Sequence, residues 1–354
     1  MSSPFDTIPN SVCILRLSAI GDTCHVLAIV RTLQSAWPAT RFTWVIGKLE
    51  AKLLGHIPDI EFVVVDKKDL VGSMRTLRTA FRGRRFDVLM HMQLALRASV
   101  LSTCIPARIR LGFDIKRARE LQWLFTNERI RPALRQHVMD GLFGFAEKFH
   151  VYEKLLRWDI PIPESAHAYA QRVIADGEKA LIISPCSSHA LRNWRAEYYA
   201  QVADYASGAL GLKVILCGGR SELEKKYGEE ICSYVRNPVL NTIGQDTLLE
   251  FLATLQRATV LLSPDSGPAH MATTVGTPVI GLYAATNPAR SGPYLSREWC
   301  VDKYDAAART LLNKPASELP WTTKIEKPGV MDLIQPEEVI KKLHGVMVAT
   351  AGRR

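Results

Sequence analysis

The stretch LLSPDSGPAHMATTVGTPVIGLYAATNP, Leu261 to Pro288, decides how the chain is read. An apolar run stops at Ser263-Pro264-Asp265-Ser266-Gly267. A helical segment follows, with Pro268 near its first turn and Gly276 just past its end, the usual asymmetry of helix termini. A second apolar run, Pro278 to Tyr283, then breaks at Ala284 to Pro288. The pattern predicts strand, tight loop, helix, strand, loop. Backbone N–H groups left free at such a helix start attract an anion, typically a phosphate.

Working outward, the same unit recurs on both sides. Val12 to Leu17 is a short apolar run ending at Ser18 to Asp22, ahead of a periodic segment over 23–36. Runs at 41–46, 61–65, 86–90 and 108–112 read as further strands, with a helix over 71–82. After position 180 the alternation restarts: strands at 180–184 and 213–217, helices over 194–207, 222–235 and 246–257. Strands alternating with helices argue for parallel sheets covered on both faces. Between the two series, 136–158 reads as one long helix and 160–178 as a connector marked by Pro161 and Pro163. Residues 301–330 read as loop-rich and 335–348 as a terminal helix. The expected domains are 1–165, 166–330 and a C-terminal segment 331–354 that could pack back on the first domain. In parallel sheets ligands sit beyond the carboxyl ends of the strands, so two facing sheets would hold one in the cleft between them.

A chain of 354 residues is long enough for two full cores. No apolar run approaches the roughly 20 residues that span a bilayer, and the first residues, MSSPFDTIPNS, lack the pattern of a secretory signal. The seven cysteines are scattered without a C-x-x-C pair, which suits core residues in a reducing compartment better than disulfides or zinc ligands. Net charge is +10, but residues 1–160 hold 24 Lys+Arg against 15 Asp+Glu, leaving the second half almost neutral. Such asymmetry points to an anionic partner for the first half, whether nucleic acid, a membrane surface or a phosphorylated substrate, or else serves solubility alone.

Taken together, RLSAIGD (16–22), SPDSGPAH (263–270) and GTPVIGLYAATNP (276–288) resemble the lipopolysaccharide heptosyltransferases, glycosyltransferase family 9, over about residues 11–345. CILRLSAIGD, the WVIGK ending at Lys48 and the MQLALRAS run 92–99 look closest to the heptosyltransferase I branch, which adds heptose to a phosphorylated Kdo. The resemblance implies the two-domain GT-B fold, an α/β architecture of two Rossmann-like domains. It also implies an ADP-heptose donor, a Kdo–lipid A acceptor, inversion at the anomeric carbon and no required metal. A monomer in the cytoplasm, peripheral at the inner face of the inner membrane, with no nucleic-acid partner, is the matching expectation.

Inverting transfer needs a base that takes a proton from the acceptor hydroxyl. The resemblance puts that role on Asp22, next to Gly21 on the acceptor side; an N-cap for the following helix is the plainer alternative. The departing ADP needs its diphosphate held. The resemblance assigns this to Ser187 and Ser188, to the helix start at Ser266-Gly267, and to Arg192, where the family commonly has lysine. Asp265 matches an acidic residue that contacts the donor sugar, or else it closes its own loop. His270, one turn into the helix, is structural or donor-binding. Among Arg108, Arg110, Lys116, Arg117, Arg119, Arg129, Arg131 and Arg135 only Asp114, Glu120 and Glu128 intervene, interleaved with Phe113, Trp123 and Phe125. Such a surface suits phosphate and carboxylate groups on a lipid-anchored sugar, and equally RNA, or is simply a solvated face. Lys48, Arg97, Arg117, Arg119 and Arg135 are the expected acceptor contacts.

Competing readings are a heptosyltransferase II or III acting on an inner-core heptose, a nucleotide-sugar epimerase on the same fold, and a basic nucleic-acid-binding protein. Two strand series with an anion-friendly helix start argue against the last.

Overall fold

The computed structural model describes residues 4–351. It divides into two compact units, Met1–Pro161 and Ile162–Arg354. In the first, β1 (Ser11–Leu15), α1 (Ile20–Ala36), β2 (Arg41–Gly47), α2 (Lys48–Leu54) and β3 (Ile60–Val65) come first. Then follow α3 (Leu70–Ala80), β4 (Phe86–His91), α4 (Leu96–Ser102), β5 (Ala107–Gly112), β6 (Glu128–Arg129) and α5 (Val138–Glu147). The strands form one parallel sheet in the order β3-β2-β1-β4-β5-β6.

The second unit begins with α6 (Glu164–Val173), β7 (Ala180–Ile183), α7 (Ala196–Leu210), β8 (Lys213–Leu216), α8 (Glu222–Tyr234) and β9 (Leu240–Asn241). It continues with α9 (Leu248–Arg257), β10 (Val260–Pro264), α10 (Gly267–Thr274), β11 (Val279–Tyr283) and α11 (Pro288–Ser291). The last elements are β12 (Val301–Asp302), α12 (Tyr304–Leu312) and α13 (Pro336–Ala351). The sheet order is β12-β11-β10-β7-β8-β9, again all parallel.

Strands covered on both faces read as continuous apolar runs. In β1, successive side chains go to opposite faces: Cys13 and Leu15 join Val45, Leu77, Leu89 and Leu101 in one cluster on the α3–α4 side. In the second unit Leu181, Ile183, Leu216 and Leu262 meet Trp194 and Tyr199, all fully buried. Each such side chain contributes roughly 1.5–3 kcal/mol of burial. Trp194 also donates from Nε1 to the Ile334 carbonyl at 3.0 Å and lies edge-on to Tyr199 at 5.0 Å.

Several expectations need correction. The long helix over 136–158 ends at Glu147. His150 takes φ +62°, and the Val151 N–H turns back to the Ala146 carbonyl at 3.2 Å. The chain then docks along α1: Leu155 N–H donates to Thr32 Oγ1 at 3.0 Å, Trp158 Nε1 to the Cys24 carbonyl at 2.8 Å, and Arg31 pairs with Asp159 at 2.7 Å. Burying Trp158 on α1 outweighs helix continuation. The connector 160–178 contains α6, whose Ala166 and Ala170 pack with Ala253 of α9. Pro163 stands at its N-cap, so the proline read as a linker starts a helix. The loop-rich 301–330 contains α12. The C-terminal helix places Val339, Leu343 and Val346 in the core of the second unit.

Candidate active site

A doubly wound sheet opens a crevice where consecutive crossovers diverge. In the first sheet that point lies between β1 and β4. β1 ends at Leu15, residues 16–19 form a loop, and α1 starts at Ile20. Asp22 is therefore not the N-cap. Ala19 is, with extended backbone and no capping side chain, and Asp22 lies in the first turn, where a negative charge suits the helix dipole. Its carboxylate accepts the Ala19 N–H at 3.4 Å and pairs with the Arg16 guanidinium.

Arg16 is fixed in turn. It donates to the carbonyls of Ser18 at 2.7 Å and Met92 at 2.6 Å, bridging the ends of β1 and β4. Gln93 Oε1 accepts the N–H groups of Leu17 at 2.9 Å and Ser18 at 3.2 Å. Beneath it, Gln122 Nε2 donates to the carbonyls of His91 at 2.8 Å and Gln93 at 3.0 Å. His91 is fully buried, with Nε2 at 3.0 Å from Ser99 Oγ; burial, and next the Arg110 charge, push its pKa down to about 3. The result is a carboxylate aimed by a bridging guanidinium yet still 34% exposed. Gly21, beside it, is buried. The sequence carried Arg16 and Gln93 inside the quoted motifs, but nothing in their spacing revealed that they pin one loop together.

The expected acceptor residues are scattered over the first unit. Lys48 opens α2 and pairs with Asp66 at 2.9 Å, which raises its pKa. Arg97 in α4, Arg119 and Arg135 are exposed. Arg117 is engaged internally: with Asp114, with the Arg131 carbonyl at 2.7 Å and with Gln136 at 3.4 Å. Arg110 is likewise structural, donating to the carbonyls of Ser102, Ile105 and Phe125. A cavity of 930 Å³ opens at the amino end of the same sheet, lined by Ser11, Arg41, Thr43 and Glu61 among others. It lies at the edge opposite to the crevice, and its Arg84 is already paired with Glu61 at 2.7 Å.

In the second sheet the crossovers diverge between β7 and β10, so the loops following these strands are neighbours. After β7, Ser187 N–H donates to Asn193 Oδ1 at 2.8 Å and its hydroxyl donates to the His189 carbonyl at 3.0 Å; Ser188 is exposed. Arg192, 12% exposed, donates from Nε to Glu326 at 2.8 Å. After β10, Ser266 is the N-cap of α10 in extended conformation, its hydroxyl 2.8 Å from Ser263 Oγ rather than on the helix N–H groups. Gly267 begins the helix and His270 is buried within it. Asp265 accepts from Ser291 Oγ at 3.2 Å. Burial first, and then Asp265, raise the Tyr283 pKa far above its ordinary value.

Lys324 and Glu326, which no motif signalled, join this group. They flank buried Ile325, whose N–H donates to the Ala285 carbonyl at 2.8 Å just past β11. Partial withdrawal from water, then Arg192, lower the Lys324 pKa, and Glu326, Arg290 and Asp265 also act on it, although much of the side chain stays exposed. Among the described residues no cluster of three or more His, Cys, Asp or Glu is placed to hold a metal ion, and no helix is long and apolar enough to cross a membrane.

Two doubly wound parallel sheets, each with polar loops gathered at its switch point, define an α/β protein of the class in which ligands bind at the strand ends. The model of glycosyltransferase family 9 (heptosyltransferase) matches residues 74–322, and the chain belongs to that family. It is thus an enzyme, a glycosyltransferase. It is 42% identical to the lipopolysaccharide core heptosyltransferase OpsX of Haemophilus influenzae, over 96% of this chain and 97% of that protein. It is 22% identical to lipopolysaccharide heptosyltransferase 1 of Escherichia coli K12, over 80% and 90%. Among solved structures, the family 9 glycosyl transferase of Veillonella parvula matches with TM-score 0.79 at 23% identity, covering 96% and 97%. The E. coli heptosyltransferase WaaC with ADP matches with TM-score 0.70 at 18% identity, covering 95% and 99%.

Proposed function

We propose that this enzyme is a heptosyltransferase of lipopolysaccharide core synthesis, and that it transfers L-glycero-D-manno-heptose from ADP-heptose to Kdo of Kdo–lipid A with inversion. The observation that carries the reading is the near full-length match to a lipopolysaccharide core heptosyltransferase. It agrees with an acidic residue at one switch point and an anion-friendly helix start at the other.

In this reading Asp22 is the general base. Accepting a proton during attack raises the nucleophilicity of the acceptor hydroxyl, and Arg16 fixes the direction from which it does so. The α10 N-terminus, Ser187 and Ser188 face the leaving diphosphate, whose growing charge they stabilise, and Arg192, held by Glu326, stands beside them. Asp265 accepts from sugar hydroxyls, since beside a diphosphate its charge would repel. Gly21, Lys48, Arg97, Arg119 and Arg135 serve the anionic acceptor and the membrane surface that carries it. Arg117, already held by Asp114, shapes that face from within. ADP-heptose is substrate, and the reaction as proposed uses no metal.

The direct test is transfer from ADP-heptose to purified heptose-free Kdo–lipid A, with and without a Kdo phosphate. Product with neither acceptor overturns the Kdo assignment. The alternative is a heptosyltransferase II reading, in which the acceptor is an inner-core heptose. It requires product only when the acceptor already carries heptose.

A further inference from the structure

We propose that Lys324 supplies the positive charge that meets the donor's diphosphate, the role that the family resemblance assigns to position 192. The proposal rests on the reading of the chain as an ADP-sugar transferase. Arg192 stands where a lysine is common, but its guanidinium is committed: two of its nitrogens donate to one oxygen of Glu326. An ion pair of this kind presents little net charge to a third group. Glu326 also brings a carboxylate to the place where an anion would have to sit.

Lys324 escapes this. Ile325 is buried and its N–H is fixed on the Ala285 carbonyl, which ties the segment to the carboxyl edge of β11. Lys324 lies on one side of that anchor and Glu326 on the other. Among the described residues Lys324 carries no ion pair, in contrast to Arg192. It lies within electrostatic reach of Arg192, Glu326, Arg290 and Asp265, which come from the segment after β7, from its own segment, from α11 and from the end of β10. Lys324 therefore adds a positive charge that no ion pair cancels to a group that also holds Arg192, Arg290, Glu326 and Asp265. A compact ammonium with three rotatable donors can follow the diphosphate as the bond from the anomeric carbon to its terminal phosphate oxygen lengthens. Glu326 acts as the positioning residue, holding Arg192 against the loop it comes from.

Binding of ADP and of adenosine, followed by calorimetry on the full chain, separates the possibilities. Lys324→Ala should weaken ADP by about 10- to 100-fold, the usual size of a charge-assisted contact, and adenosine by far less. Lys324→Arg should retain more ADP affinity than Lys324→Ala. Because the side chain is exposed, these variants should melt like wild type. Unchanged ADP binding in Lys324→Ala, or equal loss of ADP and adenosine, overturns the proposal while leaving the transferase reading intact. Failure of the wild-type chain to bind ADP overturns that reading, and this proposal with it.

Discussion

The two units share one architecture and differ in what they place at the same topological point. Each is a six-stranded, all-parallel, doubly wound sheet whose crevice lies beside its central strands. In the first, the crevice offers a single carboxylate, Asp22, directed by Arg16. In the second, it offers an open helix start and a group of cations around Arg192 and Lys324. In the proposed reading the fold specifies where a ligand goes, and a few loop side chains decide whether that place does proton chemistry or holds an anion. Two titratable groups are shifted in opposite directions: burial lowers the pKa of His91 in the first unit to about 3 and raises that of half-buried Asp246 in the second to about 7.

The sharpest way to break this division is Asp22→Asn. Asparagine still accepts the Ala19 N–H, so the fold should hold. Turnover should fall by roughly 10²- to 10⁴-fold, the range of general-base catalysis, with ADP affinity unchanged. Near-normal turnover, or lost ADP binding, would remove the assignment of proton chemistry to the first unit.

A smaller effect concerns acid stability. His91 is neutral when folded, whereas the unfolded chain takes up a proton below the ordinary value of 6.5. Its contribution is complete above pH 6.5 and drains as pH falls toward 3. Between pH 6.5 and 5 the loss should be about 2 kcal/mol, and His91→Gln should flatten that limb in thermal melts.

Asp246 has the opposite sign. The folded chain keeps its proton up to about pH 7, while the unfolded chain releases it near 3.8. Stability is therefore fullest below pH 3.8 and drains as pH rises to 7. Asp246→Asn should recover about 1–2 kcal/mol at pH 8 and little at pH 4; the reverse pattern would place the proton elsewhere. Smallest of all is Lys48→Ala. Its ion pair with Asp66 is exposed, and such pairs contribute little to stability. Its melting curve should overlay the wild type, so any change in the KM for an anionic acceptor would report on binding alone.

Much of this fold was legible because buried parallel strands leave uninterrupted apolar runs such as VCIL and VLLSP, closed by polar loops. Pro268 and Gly276 marked the ends of α10 almost to the residue. The end of α5 was hidden, because His150 turns left-handed without a glycine or proline to announce it. What stops that helix is Trp158 docking on α1, a contact with a partner more than a hundred residues away. Asp22, Asp265 and Arg192 could be picked out within motifs. Lys324 could not, since its loop is brought to the strand ends by tertiary contacts, Ile325 N–H to the Ala285 carbonyl and Glu326 to Arg192.

The outer strands have a consequence for life in a crowded cell. Of the four sheet edges, three end in β6, β9 and β12, each two residues long. A sheet edge is a template on which a stray chain can add a strand, and shortening it is a recognised defence against aggregation. These stubs leave an incoming strand almost no ladder to follow. Only β3, with six residues, offers a full-length rim, and there Glu61 is tied to Arg84. Paired charges on that rim discourage the zippering of two copies, so both sheets are protected at all four borders.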